Sequence, residues 1–263
     1  MKVLLLTCSY AAFKTQDGHT FSARTFDGTT RDNIQKVQTT TDQVLGYSAV
    51  IDTVKNIILD GMNCIGLSIS ALGQERAVYQ TVPEGKEKQA LLVNEIGPYI
   101  LGTCATVQEV KETLESFYVH GNQDTPLLSF AFCDAEGKQL FVEYVDGKPT
   151  FRELEDEPGI LTENAEPSWF NQKGPQTADN KGPTSAERFQ RLVKAFQETK
   201  QPENCANGQY FAYQLMNRVT IKKGEWWVFP GEGKNLPCYT QYTVIRDHKN
   251  KQFSYSYVDE VPK

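Results

Sequence analysis

The chain is poor in the residues from which most catalytic and nucleic-acid-binding sites are built. It has only three histidines, His19, His120 and His248, each in a polar, turn-like context where a solvent-exposed side chain is expected. The sequence therefore argues against a catalytic site in which a histidine activates a cysteine or serine nucleophile. The 27 Lys and Arg are outnumbered by 33 Asp and Glu and form no cluster, which argues against nucleic acid as a partner.

Several familiar motifs are also missing. Residues 66–70 (GLSIS) lack the second glycine of a nucleophile elbow, and neither a GxGxxG nor a phosphate-binding loop occurs. The six cysteines lie far apart and never pair as C-x-x-C, so their spacing does not support zinc and does not require disulfides. We expect free thiols, no cofactor and no metal, and a cytoplasmic location.

No apolar stretch approaches the roughly 18 residues of a membrane span. The apolar opening, residues 1–7, ends at Thr7 and is too short for a signal peptide. A lipoprotein signal would need a longer apolar segment and a small residue in place of Thr7. We therefore expect no membrane partner.

The order of predicted elements favours an α+β domain. The pattern predicts strands, then helices, then strands, rather than a parallel βαβ series. Residues 171–185, rich in Gly, Pro and polar side chains, predict a surface loop. The predicted elements are a hairpin over 3–27, a strand over 65–72, a helix from the N-cap Thr106 to about Phe117, a hairpin over 127–145, helices over 185–197 and 210–219, and a hairpin over 239–258.

One constellation supports nucleophilic catalysis without histidine. If residues 1–7 were removed, the α-amino group of Cys8, with an ordinary pKa of about 7.7 to 8.0, would be a base beside the thiol. Arg24 lies across the predicted hairpin turn and can stabilise a thiolate, and Asp27 follows three residues later. Spacing alone is weak support for such a site.

Ordered motifs add a family resemblance along nearly the whole chain. The segment CSYAAFKTQDGHTFSARTFD, from Cys8 to Asp27, resembles the N-terminal signature of the choloylglycine hydrolase family, which includes penicillin V acylases and bile salt hydrolases. Its ART-F-D part is closer to the penicillin acylases. Further family-like segments follow in order: DGMNCIGL (60–67), TVQEVKETL (106–114), TSAERF (184–189) and TQYT (240–243).

The resemblance implies an N-terminal-nucleophile (Ntn) hydrolase fold, a four-layer αββα sandwich with antiparallel sheets. Residues 1–263 are then one Ntn-hydrolase domain, with 1–7 as a removable leader. Cys8 is implied as nucleophile and, through its amine, as base. Arg24 and Asp27 organise it, and Arg188 completes the polar network around the thiol.

The oxyanion hole is where the chain departs from the family. Gly73 matches a position whose backbone N–H contributes to that hole, and glycine keeps this donor. The family asparagine directly follows Leu-Thr, but here Glu163 holds that position and Asn164 comes next. Because an amide donor is what the chemistry requires, we predict a one-residue bulge that brings Asn164 to the oxyanion.

The resemblance implies a small acyl amide as substrate. Tyr10, Phe26 and Trp169 are predicted to line an acyl pocket, together with an aromatic cluster at 226–229. A penicillin V type of amide is favoured, with conjugated bile salts and acyl-homoserine lactones as alternatives. A catalytically silent binding homologue that keeps its leader is the rival hypothesis. The 171–185 segment is shorter than the family's assembly loop, so a homo-oligomer is possible but is not implied.

Overall fold

The computed structural model describes residues 7–39, 45–155, 157–166, 169, 182–228 and 235–258. The strands of these residues are β1 (Thr7–Lys14), β2 (Thr20–Gly28), β3 (Ile34–Thr39), β4 (Tyr47–Asp52), β5 (Ile57–Asn63), β6 (Ser68–Gly73), β7 (Ala90–Leu92), β8 (Tyr118–His120), β9 (Leu128–Cys133), β10 (Gln139–Val145), β11 (Lys148–Leu154), β12 (Gly159–Thr162), β13 (Trp227–Val228), β14 (Leu236–Pro237), β15 (Tyr239–Asp247) and β16 (Gln252–Tyr257). The helices are a 3₁₀ turn (Glu87–Gln89), α1 (Val93–Thr103), α2 (Val107–Ser116), α3 (Ser185–Glu198) and α4 (Cys205–Val219).

Two antiparallel sheets form the centre of the molecule. The five-stranded sheet has the order β12-β1-β2-β15-β16, and the seven-stranded sheet has the order β11-β10-β9-β6-β5-β4-β3. Helices α3 and α4 pack on the first sheet, and α1 and α2 pack on the second. The structure therefore confirms the predicted α+β class and the αββα layering.

Strand β1 shows why the two sheets stack. Nearly all of its residues are buried, which is typical of a strand covered on both faces. Cys8, Tyr10 and Ala12 point into the core between the sheets, whereas Ala11 and Phe13 join the core under α3 and α4. This period-two alternation directs the thiol of Cys8 towards the second sheet.

The predicted helix start at the N-cap Thr106 is confirmed, and α3 begins at residue 185 as predicted, with Thr184 as its N-cap. Each threonine hydroxyl accepts a hydrogen bond from the backbone N–H of the residue three positions later. That residue is a glutamate, Glu109 or Glu187, and its carboxylate accepts a hydrogen bond from the threonine N–H. This capping box satisfies N–H groups that the first turn leaves open. In α3 it fixes the start of the helix that carries Arg188, a fully buried side chain.

Several boundaries and elements differ from the predictions. Strand β6 begins at Ser68 rather than at residue 65, because Gly66 is in a turn with a φ of 105°. Helix α4 begins at Cys205 rather than at residue 210, behind the N-cap Asn204. Residues 171–181 of the predicted loop and Phe229 lie outside the described residues.

Helix α1 was not predicted, because Gly97 and Pro98 are typical helix breakers. The glycine has a packing reason, since a Cβ at position 97 would lie 2.7 Å from the Cβ of Ile58 on β5. Within the described part of the chain, no helix is long and apolar enough to cross a membrane.

Candidate active site

The hairpin of β1 and β2 brings Cys8 and Arg24 onto one inward face. In the antiparallel register Cys8 lies opposite Phe26 and Tyr10 opposite Arg24, so Cys8 and Arg24 are diagonal neighbours. Arg24 Nη2 donates a hydrogen bond to Cys8 Sγ at 2.9 Å. Both side chains are fully buried.

Arg24 is held by a buried ionic network that joins the two sheets. Its Nη1 donates to the carboxylate of Asp60 and, at 2.8 Å, to the hydroxyl of Tyr242. Arg246 Nη2 donates to the other carboxylate oxygen of Asp60 at 2.6 Å. The single charge of Asp60 therefore offsets part of the cost of burying two arginines, and its hydrogen bond fixes the guanidinium of Arg24, which contacts the thiol.

The backbone nitrogen of Cys8 faces a second ionic group. The Cys8 N–H donates to Glu163 Oε2 at 3.1 Å, and the Glu163 N–H donates to the Cys8 carbonyl at 3.2 Å. Both carboxylate oxygens of Glu163 accept from Arg188 Nη2. Arg188 also donates from Nη1 to the Ser9 hydroxyl at 2.5 Å.

Asp27 completes this second group. Its Oδ2 lies 3.6 Å from Arg188 Nη1, and its Oδ1 accepts from the Thr240 hydroxyl at 2.5 Å. Oδ2 has no hydrogen-bond partner within the described residues. Burial raises the pKa of Asp27 to about 7, although Arg188 and Thr240 oppose the shift. Its carboxyl is thus able to exchange a proton near neutral pH.

Burial also shifts the pKa of the Cys8 thiol. With Thr7 still bonded to Cys8, burial raises the pKa of the Cys8 thiol to about 12, with Arg24 opposing that shift and Asp27 and Glu163 adding to it. Burial likewise raises the pKa of Glu163, and Arg188 opposes it. In this form Cys8 is a protonated thiol, not a nucleophile.

The structure places Glu163, rather than Asn164, against Cys8. Asn164 has a left-handed φ of 52°, its Oδ1 accepts from the Glu75 N–H at 2.7 Å, and its own N–H donates to the Gly73 carbonyl at 3.1 Å. Gly73, the last residue of β6, and Asn164 are therefore neighbours. Their predicted roles at an oxyanion stay predictions.

The three residues predicted to bind substrate occupy different environments. Tyr10 and Phe26 are buried in the core, where Tyr10 packs edge-on against Phe141 and Phe26 stacks on Tyr242 at 4.8 Å. Trp169 is partly exposed and lines a cavity of about 350 Å³. Of these three residues, Trp169 lines the cavity, and Tyr10 and Phe26 do not.

The comparisons with known proteins agree with this architecture. A model of linear amide C–N hydrolases, choloylglycine hydrolase family, matches residues 8–173, which is more than half of the chain. The chain belongs to the choloylglycine hydrolase family. The family is one of linear amide C–N hydrolases, and the Ntn-hydrolase fold predicted for it is the one the chain adopts. No curated protein matches the chain in a direct sequence comparison.

Solved structures of other proteins share the fold. A mutant of the conjugated bile acid hydrolase from Clostridium perfringens is 18% identical, with a TM-score of 0.76 over 95% of this chain and 89% of that one. Penicillin V acylase from Agrobacterium tumefaciens is 20% identical, with a TM-score of 0.70 over 95% and 83%. An N-acylethanolamine-hydrolysing acid amidase orthologue from Caenorhabditis elegans is 11% identical, with a TM-score of 0.59 over 92% and 93%.

Sequence reasoning missed some of the residues around the cysteine of this choloylglycine hydrolase family member. It quoted the DGMN segment without a role for Asp60, and it assigned none to Tyr242 or Arg246. Acidic residues in a buried strand, as at Asp60, would have been a usable signal. The expectation that His248 is solvent-exposed is wrong: it is buried between Ser22 and the Gly66 carbonyl, and burial lowers its pKa to about 4.

Proposed function

We propose that this protein is an N-terminal-nucleophile cysteine amidase in which Cys8 becomes active after cleavage of the Thr7–Cys8 bond. One observation carries the proposal: Cys8 Sγ lies 2.9 Å from Arg24 Nη2, while its nitrogen lies 3.1 Å from Glu163 Oε2. The nucleophilic atom meets a cation and the future amine meets a carboxylate. The family match also begins at Cys8.

The proposed chemistry begins with the freed α-amine. The amine takes the proton of the Cys8 thiol, and Arg24 stabilises the resulting thiolate. The thiolate attacks the carbonyl carbon of an amide, and the C–N bond breaks as the α-ammonium protonates the leaving amine. Water then attacks the thioester, which releases the carboxylic acid and restores the thiol.

The oxyanion of each tetrahedral intermediate needs hydrogen-bond donors. We propose the Gly73 N–H and the Asn164 amide group for this role, since the two residues adjoin each other near Cys8. Glu163 is unsuitable as a donor, but Arg188 neutralises it. Its proposed role is to accept a hydrogen bond from the α-amine and so fix the direction of the nitrogen lone pair.

The proposed substrate is a small acyl amide, with penicillin V favoured. The cavity beside Trp169 is proposed for the acyl group, because Phe141, Ile160 and Phe189 also line it. None of the residues described around Cys8 is among those that line it. Conjugated bile salts and acyl-homoserine lactones are the competing substrates.

A panel assay tests the amidase proposal. Purified protein is incubated with penicillin V, a conjugated bile salt and an acyl-homoserine lactone, and the released amine is measured. We expect turnover of at least one amide by the wild type and none by Cys8→Ala or Cys8→Ser, because the nucleophile is lost. Cys64→Ser is the matched control, since Cys64 is an exposed free thiol. Retained turnover in Cys8→Ala contradicts the proposal.

A catalytically silent binding homologue is the second candidate. It is favoured by one observation, the complete burial of the Cys8 thiol in the form that keeps Thr7, which raises the pKa of that thiol. Intact mass distinguishes the two candidates. An active preparation whose mass lacks residues 1–7 supports the amidase; a preparation that keeps them and hydrolyses nothing supports the silent homologue.

A further inference from the structure

A cluster of metal-ligating side chains lies outside the active site. His19 is in the turn between β1 and β2, Cys205 is the first residue of α4, and Asp247 is the last residue of β15. One ligand atom from each lies within 4.8 Å of the other two. His19 Nδ1 and Cys205 Sγ are each 3.2 Å from Asp247 Oδ2. The three are called the His19–Cys205–Asp247 cluster below.

We propose that the His19–Cys205–Asp247 cluster binds one Zn²⁺ ion. Zinc takes imidazole nitrogen, thiolate sulfur and carboxylate oxygen in tetrahedral sites, with bonds of about 2.0 to 2.3 Å. Such bonds separate neighbouring ligand atoms by roughly 3.3 to 3.6 Å, close to the two separations of 3.2 Å seen here. The fourth position is left for water.

The charges around Cys205 favour a divalent cation. The thiol of Cys205 donates to the Asp247 carboxylate, and its backbone N–H donates to Asp17 Oδ2 at 3.2 Å. Lys249 Nζ lies near but donates to the Asp17 carbonyl at 3.3 Å. A zinc ion would neutralise the thiolate and the Asp247 carboxylate together.

Hydrogen bonds hold the ligands in place. Asn250 donates its backbone N–H to Asp247 Oδ1 at 3.1 Å and its side-chain amide to Oδ2 at 2.8 Å. The Thr15 hydroxyl accepts from the His19 N–H at 2.9 Å. Outer contacts of this kind orient the ligands of metal sites. Sequence spacing did not reveal the site, because its ligands come from three distant segments.

The ion would lie apart from Cys8 and would take no part in the amide hydrolysis proposed there. The cluster lies beyond the Lys14 end of β1, and Cys8 is near the other end, about 20 Å away at 3.3 Å per residue. Zinc there would tie the β1–β2 turn to the start of α4 and the end of β15. The proposal is independent of the amidase mechanism.

Metal titration of the untagged full-length protein tests the site. After chelator treatment and dialysis, we expect calorimetry to show one Zn²⁺ bound per chain and a higher melting temperature with zinc. Co²⁺ in place of zinc should give a thiolate-to-metal absorption band that Cys205→Ser abolishes. Loss of a residue that only contacts a metal ligand lowers metal affinity about 10- to 100-fold. Because His19 and Cys205 are proposed as direct ligands, His19→Gln and Cys205→Ser should each lower the zinc affinity at least about 100-fold.

Matched variants make the result decisive. Cys64→Ser removes an exposed thiol, and His120→Gln removes a histidine outside the cluster; both should bind zinc as the wild type does. His19 and Cys205 are only partly buried, so their variants are expected to fold, and circular dichroism checks this. If one of His19→Gln and Cys205→Ser is unfolded, the zinc affinity of the other, folded variant tests the proposal. Absent saturable binding, or equal affinity in wild type and cluster variants, overturns the proposal.

Discussion

At the scale of single residues, two ionic groups divide the surroundings of Cys8 between them. Arg24 meets the sulfur, while Glu163 and Arg188 meet the nitrogen side. The spacing of the β1–β2 hairpin anticipated the neighbourhood of Cys8 and Arg24, because a hairpin register follows from local sequence. The contact of Glu163 with Cys8 was not anticipated, since the two residues are 155 positions apart and meet only because β12, which ends at Thr162, pairs with β1.

The first residue-scale prediction concerns Glu163→Gln. A carboxylate 3.1 Å from the Cys8 nitrogen stabilises a protonated amine there, so it raises the pKa of the amine. The acid limb of kcat/KM, which reports that ionisation, should move to lower pH by about one unit or more in Glu163→Gln. Glu166→Gln, an exposed neighbour, serves as control and should leave the limb in place. An unmoved limb in Glu163→Gln contradicts the assignment of the α-amine as base.

The second concerns Asp27→Asn and the pH dependence of stability. The pKa of Asp27 rises from an ordinary 3.8 to about 7 in the folded chain, so the folded state keeps a proton that the unfolded state releases. This contribution to stability is present below about pH 4 and is lost as pH rises to about 7, with a size of about 4 kcal/mol. Asparagine cannot ionise and should flatten that slope.

Denaturant unfolding at about pH 4 and about pH 7 measures this effect. Both proteins should carry Cys8→Ala, so that neither is processed during the experiment. The pKa of Glu163 is also raised, and a residual slope of the same sign is therefore expected in Asp27→Asn. Identical slopes with and without Asp27 would show that its carboxyl does not retain a proton on folding.

At the scale of elements, the start of helix α3 positions Arg188 in the candidate active site. The Thr184 capping box fixes the first turn, and Arg188 follows four residues later, with its side chain reaching Ser9 and Glu163. Both capped starts were predictable, because the pattern of Thr followed by Glu is local. Helix α1 was not, since Gly97 and Pro98 are typical helix breakers, and the close packing of Gly97 on Ile58 of β5 is not encoded locally.

Two capping variants test this positioning. Thr184→Ala and Thr106→Ala should each lower the free energy of unfolding by about 1 kcal/mol, because each removes an N-cap acceptor. Only Thr184→Ala should also lower kcat/KM, since α2 carries no residue of the active site. Unfolding curves and amidase kinetics on both variants make the comparison. Equal kinetics in the two would show that the α3 cap does not position Arg188.

At the scale of the whole molecule, Asp60 connects the two sheets. It belongs to β5 of the seven-stranded sheet, and its partners Arg24 and Arg246 belong to β2 and β15 of the five-stranded sheet. All three side chains are fully buried. Sequence reasoning identified the αββα layering through family resemblance, but the pairing between layers depends on three-dimensional contacts that no local pattern encodes.

Asp60→Asn tests this connection. Removing the charge leaves two buried arginines without a carboxylate, so we expect a loss of about 3 to 5 kcal/mol in the free energy of unfolding. Glu166→Gln breaks the exposed pair with Arg76 and should cost about 1 kcal/mol or less. Denaturant unfolding of the two variants gives the comparison. A similar small loss in both would mean that the buried network contributes little to holding the layers together.

The register of the first hairpin has a consequence for the maturation proposed above. Thr7 is the first residue of β1 and pairs with Asp27, while the residues from Cys8 to Lys14 pair with those from Phe26 back to Thr20. Cleavage between Thr7 and Cys8 therefore removes one residue pair at the end of the β1–β2 pairing and leaves the other pairs in place. The protein would become active when the cut creates a new N-terminus in a chain that is already folded, so the precursor and the mature protein would share one fold.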